Sequence, residues 1–116
     1  MRILIIDDNP RINKMLSGFL KLKNHDCVTA TDGRNGLELL RQTEFDATIL
    51  DIAMPEFSGY DVIESLANGG IIKQKIIVLT AVPLSSDQMS YLLKKGVKMI
   101  LKKPVEPDIL MKALTS

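Results

Sequence analysis

The sequence predicts an α/β protein, a doubly wound parallel sheet of five strands with helices on both faces. Three observations carry that prediction. Short β-rich runs alternate five times with segments of helical apolar spacing, the pattern of βα units. The runs Arg2 to Ile6, Ala47 to Leu50 and Lys75 to Thr80 are nearly continuous in apolar residues, as strands buried on both faces are. No linker, repeat or low-complexity segment interrupts the 116 residues, so the strands fall into one sheet joined by right-handed crossovers.

Arg2 to Ile6 is the first strand and ends at Asp7-Asp8. Asn9 caps the first helix and Pro10 occupies its first turn, where a missing N–H costs nothing. Ile12, Met15, Leu16, Phe19 and Leu20 form its apolar stripe, and Lys21, Lys23 and Asn24 close it. Cys27 to Thr31 is the second, shorter strand. Asp32-Gly33 opens the second helix, which runs to about Gln42 with Leu37, Leu39 and Leu40 inward; Gly36 weakens it slightly. Ala47 to Leu50 is the third strand, ending at Asp51 and stopped by Met54-Pro55. Ser58 or Gly59 starts the third helix, with Tyr60, Val62, Ile63 and Leu66 apolar, and Asn68-Gly69-Gly70 ends it. Lys75 to Thr80 is the most β-rich run and is expected to be a central strand. Ser85 or Ser86 caps the fourth helix, which carries Met89, Tyr91, Leu92 and Leu93 and stops at Gly96. Val97 to Leu101 is the fifth strand. After Lys102-Lys103-Pro104, Pro107-Asp108 opens a last helix with Ile109, Leu110, Ala113 and Leu114 apolar.

Composition narrows the function. A net charge of +1 argues against nucleic acid or an acidic membrane as direct partner. The absence of Trp and the 4% aromatic content leave no stacking platform for bases. Cys27 has no partner for an internal disulfide and, with His25 alone, builds no metal site; it reads as a small buried apolar residue. Four apolar residues after Met1-Arg2 are too few for a signal-peptide core, and no run reaches membrane-span length. The expected address is the cytoplasm. Residues 1–116 read as a single domain, either free-standing or cut from a longer chain.

The chemistry sits where the strands end. In an open parallel sheet the carboxyl ends share one edge, and ligands bind there. Strand one ends in Asp7-Asp8, strand three in Asp51, strand four in Thr80 and strand five in Lys102-Lys103. Alone, Asp51 reads as a turn cap, Asp7-Asp8 as helix N-terminal charge, Thr80 as an ordinary β-former and Lys103 as surface. Together they place three carboxylates, a hydroxyl and an ammonium on one edge. Three neighbouring carboxylates raise one another's pKa, and a hard divalent cation with oxygen ligands relieves them; Mg²⁺ fits. Such a site suits a carboxylate acting as nucleophile on phosphorus. Asp51, alone on the central strand, is then the acceptor, and Asp8 with Asp7 behind it holds the metal. Thr80 offers a hydroxyl to a phosphoryl oxygen and Lys103 a second cation.

Those motifs resemble the receiver domains of two-component response regulators, the CheY-like family. The resemblance covers the whole chain: Ile6-Asp7-Asp8 after strand one, Asp51-Ile52-Ala53-Met54-Pro55 followed by Gly59, Leu79-Thr80-Ala81, and Lys103-Pro104. It implies a flavodoxin-like (βα)5 fold with strand order 2-1-3-4-5. It implies phosphoryl transfer to Asp51 from a histidine kinase or a histidine phosphotransfer protein, with slow autodephosphorylation. Asp8, Asp51 and the backbone carbonyl of Ala53 would ligate Mg²⁺, Asp7 acting mainly through bound water. Thr80 and the backbone amide of Ala81 would meet the phosphoryl group, Lys103 would pair with it, and Pro104 would hold the loop. The expected output is a conformational change over helix four, strand five and helix five, a face with Tyr91, Lys94, Lys95, Lys98, Ile100 and Lys102, read by a downstream effector or by homodimerisation on activation.

The chain departs from the family pattern at Ile100, where receivers often carry Tyr or Phe, and at Val105, usually aromatic. Ala53 and Val82, two residues beyond Asp51 and Thr80, are small or apolar and neither position nor activate water, so a long-lived phosphoryl group is expected. Pro83 stiffens the loop after Thr80. Lys102 is expected to point away from the site. An aspartate-nucleophile phosphohydrolase would need an acid where Ala53 stands, and room for a cap. A flavin module would need a Ser/Thr/Gly-rich loop in place of Asp7-Asp8-Asn9-Pro10. A degenerate docking receiver would have lost the acids, Thr80 or Lys103.

Overall fold

A computed structural model describes all residues, Met1–Ser116. Five strands and five helices alternate: β1 (Arg2–Ile6), α1 (Pro10–Leu22), β2 (Asp26–Ala30), α2 (Gly33–Gln42), β3 (Ala47–Leu50), α3 (Gly59–Ala67), β4 (Ile76–Thr80), α4 (Ser86–Lys94), β5 (Met99–Lys102) and α5 (Pro107–Thr115). All pairings are parallel, and the sheet order is β2-β1-β3-β4-β5. This is the flavodoxin-like topology the resemblance implied.

Alternation along each central strand builds two cores. Leu4, Ile6, Leu50, Ile76 and Val78 face one side, where Leu37 and Leu40 of α2, Val62 and Ile63 of α3 and Leu92 of α4 cover them. Ile3, Ile5, Ile49, Ile77 and Leu79 face the other, under Leu16 and Leu20 of α1 and Leu110, Ala113 and Leu114 of α5. Period two in a strand sends neighbours to opposite faces, so a strand covered on both sides has no polar face to show. That is the physical origin of the unbroken apolar runs.

The helix ends follow their sequences. Asn9 accepts from the Arg11 N–H at 2.9 Å, and Asp32 from Asn35 at 2.7 Å. Ser58 and Ser85 each close a capping box, with Asp61 and Gln88 respectively. Asn68 ends α3 in the left-handed region.

Boundaries shift by a residue or two at the edges of the sheet. β2 begins at Asp26 and stops at Ala30, rather than running from Cys27 to Thr31, because Arg2 pairs with Asp26 and Ile6 with Ala30. β5 begins at Met99, because it pairs with β4 only from Ile77↔Met99 to Thr80↔Lys102. Val97 is buried ahead of it, against the α3–β4 connection. The apolar stripes are narrower than their spacing suggests: Met15, Met89, Leu93 and Ile109 are exposed. Gly36 is a packing residue, since a Cβ there would meet Ile6 side-chain atoms at 2.5–2.9 Å.

Candidate functional site

The sheet ladder continues one step past each strand and so delivers the polar residues to the carboxyl edge. The Asp7 N–H donates to the Ala30 carbonyl at 3.1 Å, that of Asp51 to Ile6 at 2.9 Å, and that of Lys103 to Thr80 at 2.8 Å. Asp7, Asp51 and Lys103 keep the parity of Ile5, Ile49 and Leu101, whose side chains share the α1–α5 core. They therefore emerge together. Lys102 has the opposite parity and is exposed, as expected.

Carboxylate oxygens of Asp7, Asp8 and Asp51 all lie within 4.8 Å of one another. Asp7 and Asp51 are buried, and Asp8 is open to solvent. The Lys103 ammonium stands 2.7 Å from Asp7 Oδ2 and 3.6 Å from Asp51 Oδ1. Asp7 Oδ1 also accepts from the Asn9 N–H at 2.9 Å. Asp7 is thus the best-neutralised of the three acids.

Asp51 is not. Burial, and then the nearby Asp7 carboxylate, push its pKa up from 3.8 to about 6; Lys103 opposes them, Asp8 adds to the rise, and the Ala53 N–H pulls slightly down. A buried carboxylate short of positive charge is held in a state that a cation or a proton relieves.

Thr80 is buried, but its hydroxyl is engaged locally. Oγ1 accepts from the Val82 N–H at 3.2 Å and lies 3.4 Å from the Val82 carbonyl oxygen. It closes the turn after β4 instead of reaching the acids. Ala53 and Ala81 sit at the exposed rim, and Val82 is 41% exposed beside them. The Lys103–Pro104 peptide is cis. The loop after Asp51 returns tightly: the Gly59 N–H donates to the Ile52 carbonyl at 2.9 Å, and a Cβ on Gly59 would lie 2.5 Å from the Asp51 carbonyl oxygen. Only a glycine lets α3 start against the strand end that carries Asp51.

One residue of the site was not foreseen. Asn13, in α1, is buried and donates from Nδ2 to the Asp7 carbonyl at 2.9 Å and to the Ala30 carbonyl at 3.3 Å. Its signal in the sequence was a polar residue one turn into a helix, beside the apolar stripe.

Farther along the sheet, Tyr91 of α4 donates to Glu64 of α3, its ring packs 6.2 Å from that of Tyr60, and Lys95 lies 3.9 Å from the Glu64 carboxylate. Tyr91 and Lys95 of the expected output face are therefore tied to α3. Tyr91 and Ile100 both pack against the α2–α4 core.

Residues 3–115 match the family model described as response regulator receiver domain. The chain is 30% identical over 115 residues to the sensor histidine kinase RcsC of Escherichia coli, a match covering 99% of this chain and 12% of RcsC; the chain thus spans about an eighth of that relative's length. It is similar to the response regulator protein TrrA of Thermotoga maritima, solved in complex with Mg²⁺-BeF, at 31% identity and TM-score 0.83 over 98% of this chain and 96% of that one. A response regulator of Burkholderia pseudomallei, solved with a phosphorylated aspartic acid, a calcium ion and citrate, superposes with TM-score 0.85 at 25% identity, covering 97% of this chain and 65% of that one.

Proposed function

The chain belongs to the response regulator receiver domain family, the receiving side of phosphorylation-dependent two-component signalling, and from that premise we propose that Asp51 is its phosphoryl acceptor. The observation that carries the proposal is the setting of Asp51: a buried carboxylate at the end of β3, clustered with Asp7 and Asp8 and 3.6 Å from Lys103. An Asp51 carboxylate oxygen forms the new bond to phosphorus as the P–N bond to the donor's imidazole breaks. The electron pair of that bond returns to the ring nitrogen, and because the other ring nitrogen of the phosphohistidine carries a proton, the donor leaves as neutral imidazole. The acceptor must be ionised to attack, and the Lys103 ammonium, already within reach, is placed to answer charge on the phosphoryl oxygens.

The donor set fits Mg²⁺: hard oxygen ligands only, two carboxylates of which are buried. Asp8, Asp51 and the Ala53 carbonyl would hold it, with Asp7 acting through bound water. When bound, the ion supplies positive charge that keeps Asp51 ionised and offsets the charge of the phosphoryl group. Thr80 has to leave Val82 to reach that group, and the Ala81 amide completes the oxygen contacts. The donor is a sensor histidine kinase or a histidine phosphotransfer protein, acting in the cytoplasm; no helix is long and apolar enough to cross a membrane.

The output is a population shift rather than a rebuilt fold. Release of Thr80 frees the turn that leads to α4, and the face of α4, β5 and α5 passes the change to an effector or to a second copy of the domain. With Ile100 in place of an aromatic ring, the group positioned to respond is Tyr91, held by Glu64. The side chains of Ala53 and Val82 offer no polar atom to aim a hydrolytic water, so the phosphoryl group is long-lived.

Intact-mass measurement after incubation with acetyl phosphate tests the reading. The wild type gains one phosphoryl group with Mg²⁺ and none with EDTA, and Asp51→Ala gains none. Equal labelling of Asp51→Ala, or labelling indifferent to EDTA, contradicts it. Decay of the adduct within seconds contradicts the assignment of Ala53 and Val82.

A further inference from the structure

We propose that Asn13 is a positioning residue for the acid pair: its side-chain amide holds the peptide joining Asp7 to Asp8 and thereby aims both carboxylates. The inference rests on the reading of Asp7, Asp8 and Asp51 as a cation-dependent phosphoryl site, and deepens it.

Asn13 is only 4% exposed, on the side of α1 that faces the sheet. The Asp7 carbonyl lies one residue past the end of β1, and Asn13 Nδ2 donates to it at 2.9 Å. The same nitrogen reaches the Ala30 carbonyl at 3.3 Å, which already accepts from the Asp7 N–H at 3.1 Å. Both targets are acceptors, so the amide has one permitted orientation: nitrogen toward the strand ends, oxygen away. That oxygen is buried and meets no donor. An amide that satisfies one buried carbonyl while leaving its own unmatched gains little net stability. What it does fix is the plane of the Asp7–Asp8 peptide, and with it ψ of Asp7 and φ of Asp8. The same helical turn holds the acid pair a second time: the Asn13 N–H donates to the Asn9 carbonyl at 3.2 Å, and the Asn9 N–H to Asp7 Oδ1 at 2.9 Å. Asn13 makes its side-chain hydrogen bonds to backbone carbonyls and to neither carboxylate, so its effect passes through the peptide it holds.

The test is Mg²⁺ titration by calorimetry on wild type, Asp51→Asn and Asn13→Leu, with urea unfolding to verify that each is folded. Leu keeps the number and branching of the side-chain heavy atoms and deletes the donor. Asn13→Leu is expected to bind Mg²⁺ about tenfold more weakly, the scale on which outer-shell groups act. The Mg²⁺ concentration for half-maximal labelling by acetyl phosphate is expected to rise in step, with the rate at saturating Mg²⁺ retained. Wild-type affinity in folded Asn13→Leu overturns the positioning role and leaves the site intact. No Mg²⁺ binding by the wild type overturns both. If Asn13→Leu does not fold, the Asn13 side-chain amide resonances of ¹⁵N-labelled wild type decide. They are expected to shift along the same Mg²⁺ isotherm as the Asp7 and Asp8 backbone amides, and unmoved resonances at saturation overturn the proposal.

Discussion

Three acids meet at the carboxyl edge, yet they are not equivalent. Asp7 has an ammonium at 2.7 Å and a backbone donor, Asp8 has solvent, and Asp51 has burial and too little positive charge. The sign of the pH effect follows. Asp51 titrates near 3.8 when exposed in the unfolded chain and at about 6 in the folded one. Below that window both states hold the proton. Within it the folded state binds more protons, so the free energy of unfolding falls as pH rises, by at most about 1.4 kcal/mol per pH unit, and flattens above the folded value. Urea unfolding without metal between pH 4 and 8 is expected to show that fall, and Asp51→Asn to lack it and to be the more stable protein at pH 7. Lys103→Met removes the only cation among the acids and is expected to cost about 2 kcal/mol at pH 7 without metal; unchanged stability in the same unfolding series contradicts the pairing. Asp7, Asp8, Asp51 and Lys103 were legible in the sequence because strand ends share an edge. Their ranking was not, because burial and the choice of Asp7 as the Lys103 partner depend on how α1 closes over the sheet.

Among the elements, α1 and α3 contrast in how they use glycine. Gly59 starts α3 with backbone atoms of Asp51 and Ile52 inside 3 Å of where a Cβ would go. Gly18, on the exposed side of α1, has nothing within 4 Å. Gly59→Ala is therefore expected to destabilise by about 1–3 kcal/mol and to weaken Mg²⁺ binding, by displacing the strand end that carries Asp51. Gly18→Ala is expected to stabilise by roughly 0.5–1 kcal/mol through helix propensity alone, leaving Mg²⁺ affinity as in wild type. Thermal unfolding with calorimetry separates the two; equal effects at both positions contradict the packing argument. Periodicity placed all ten elements but blurred their edges. β2 and β5 are the outer strands, and an outer strand ends where its single neighbour stops pairing, which local sequence does not record. Met15, Met89, Leu93 and Ile109 matched helical spacing yet stay outside, because the sheet covers less of each helix than the apolar stripe offers.

Across the whole molecule, one sheet separates two cores and gathers the chemistry at one edge. The βα alternation made the layers legible, whereas the strand order came from the motif resemblance: alternation alone does not say which strands are neighbours. A ligand that binds only the folded state stabilises it, so Mg²⁺ is expected to raise the melting temperature of wild type in a concentration-dependent way and to leave Asp8→Asn and Asp51→Asn nearly unmoved. Equal shifts in all three would place the ion elsewhere. The central claim is that the phosphoryl group resides on Asp51. Borohydride reduces an acyl phosphate to an alcohol, so reduction of the acetyl phosphate-treated protein, followed by peptide mass spectrometry, marks the acceptor covalently. Homoserine at position 51 and at no other acid is the predicted result; homoserine at position 7 or 8, or at none, contradicts it.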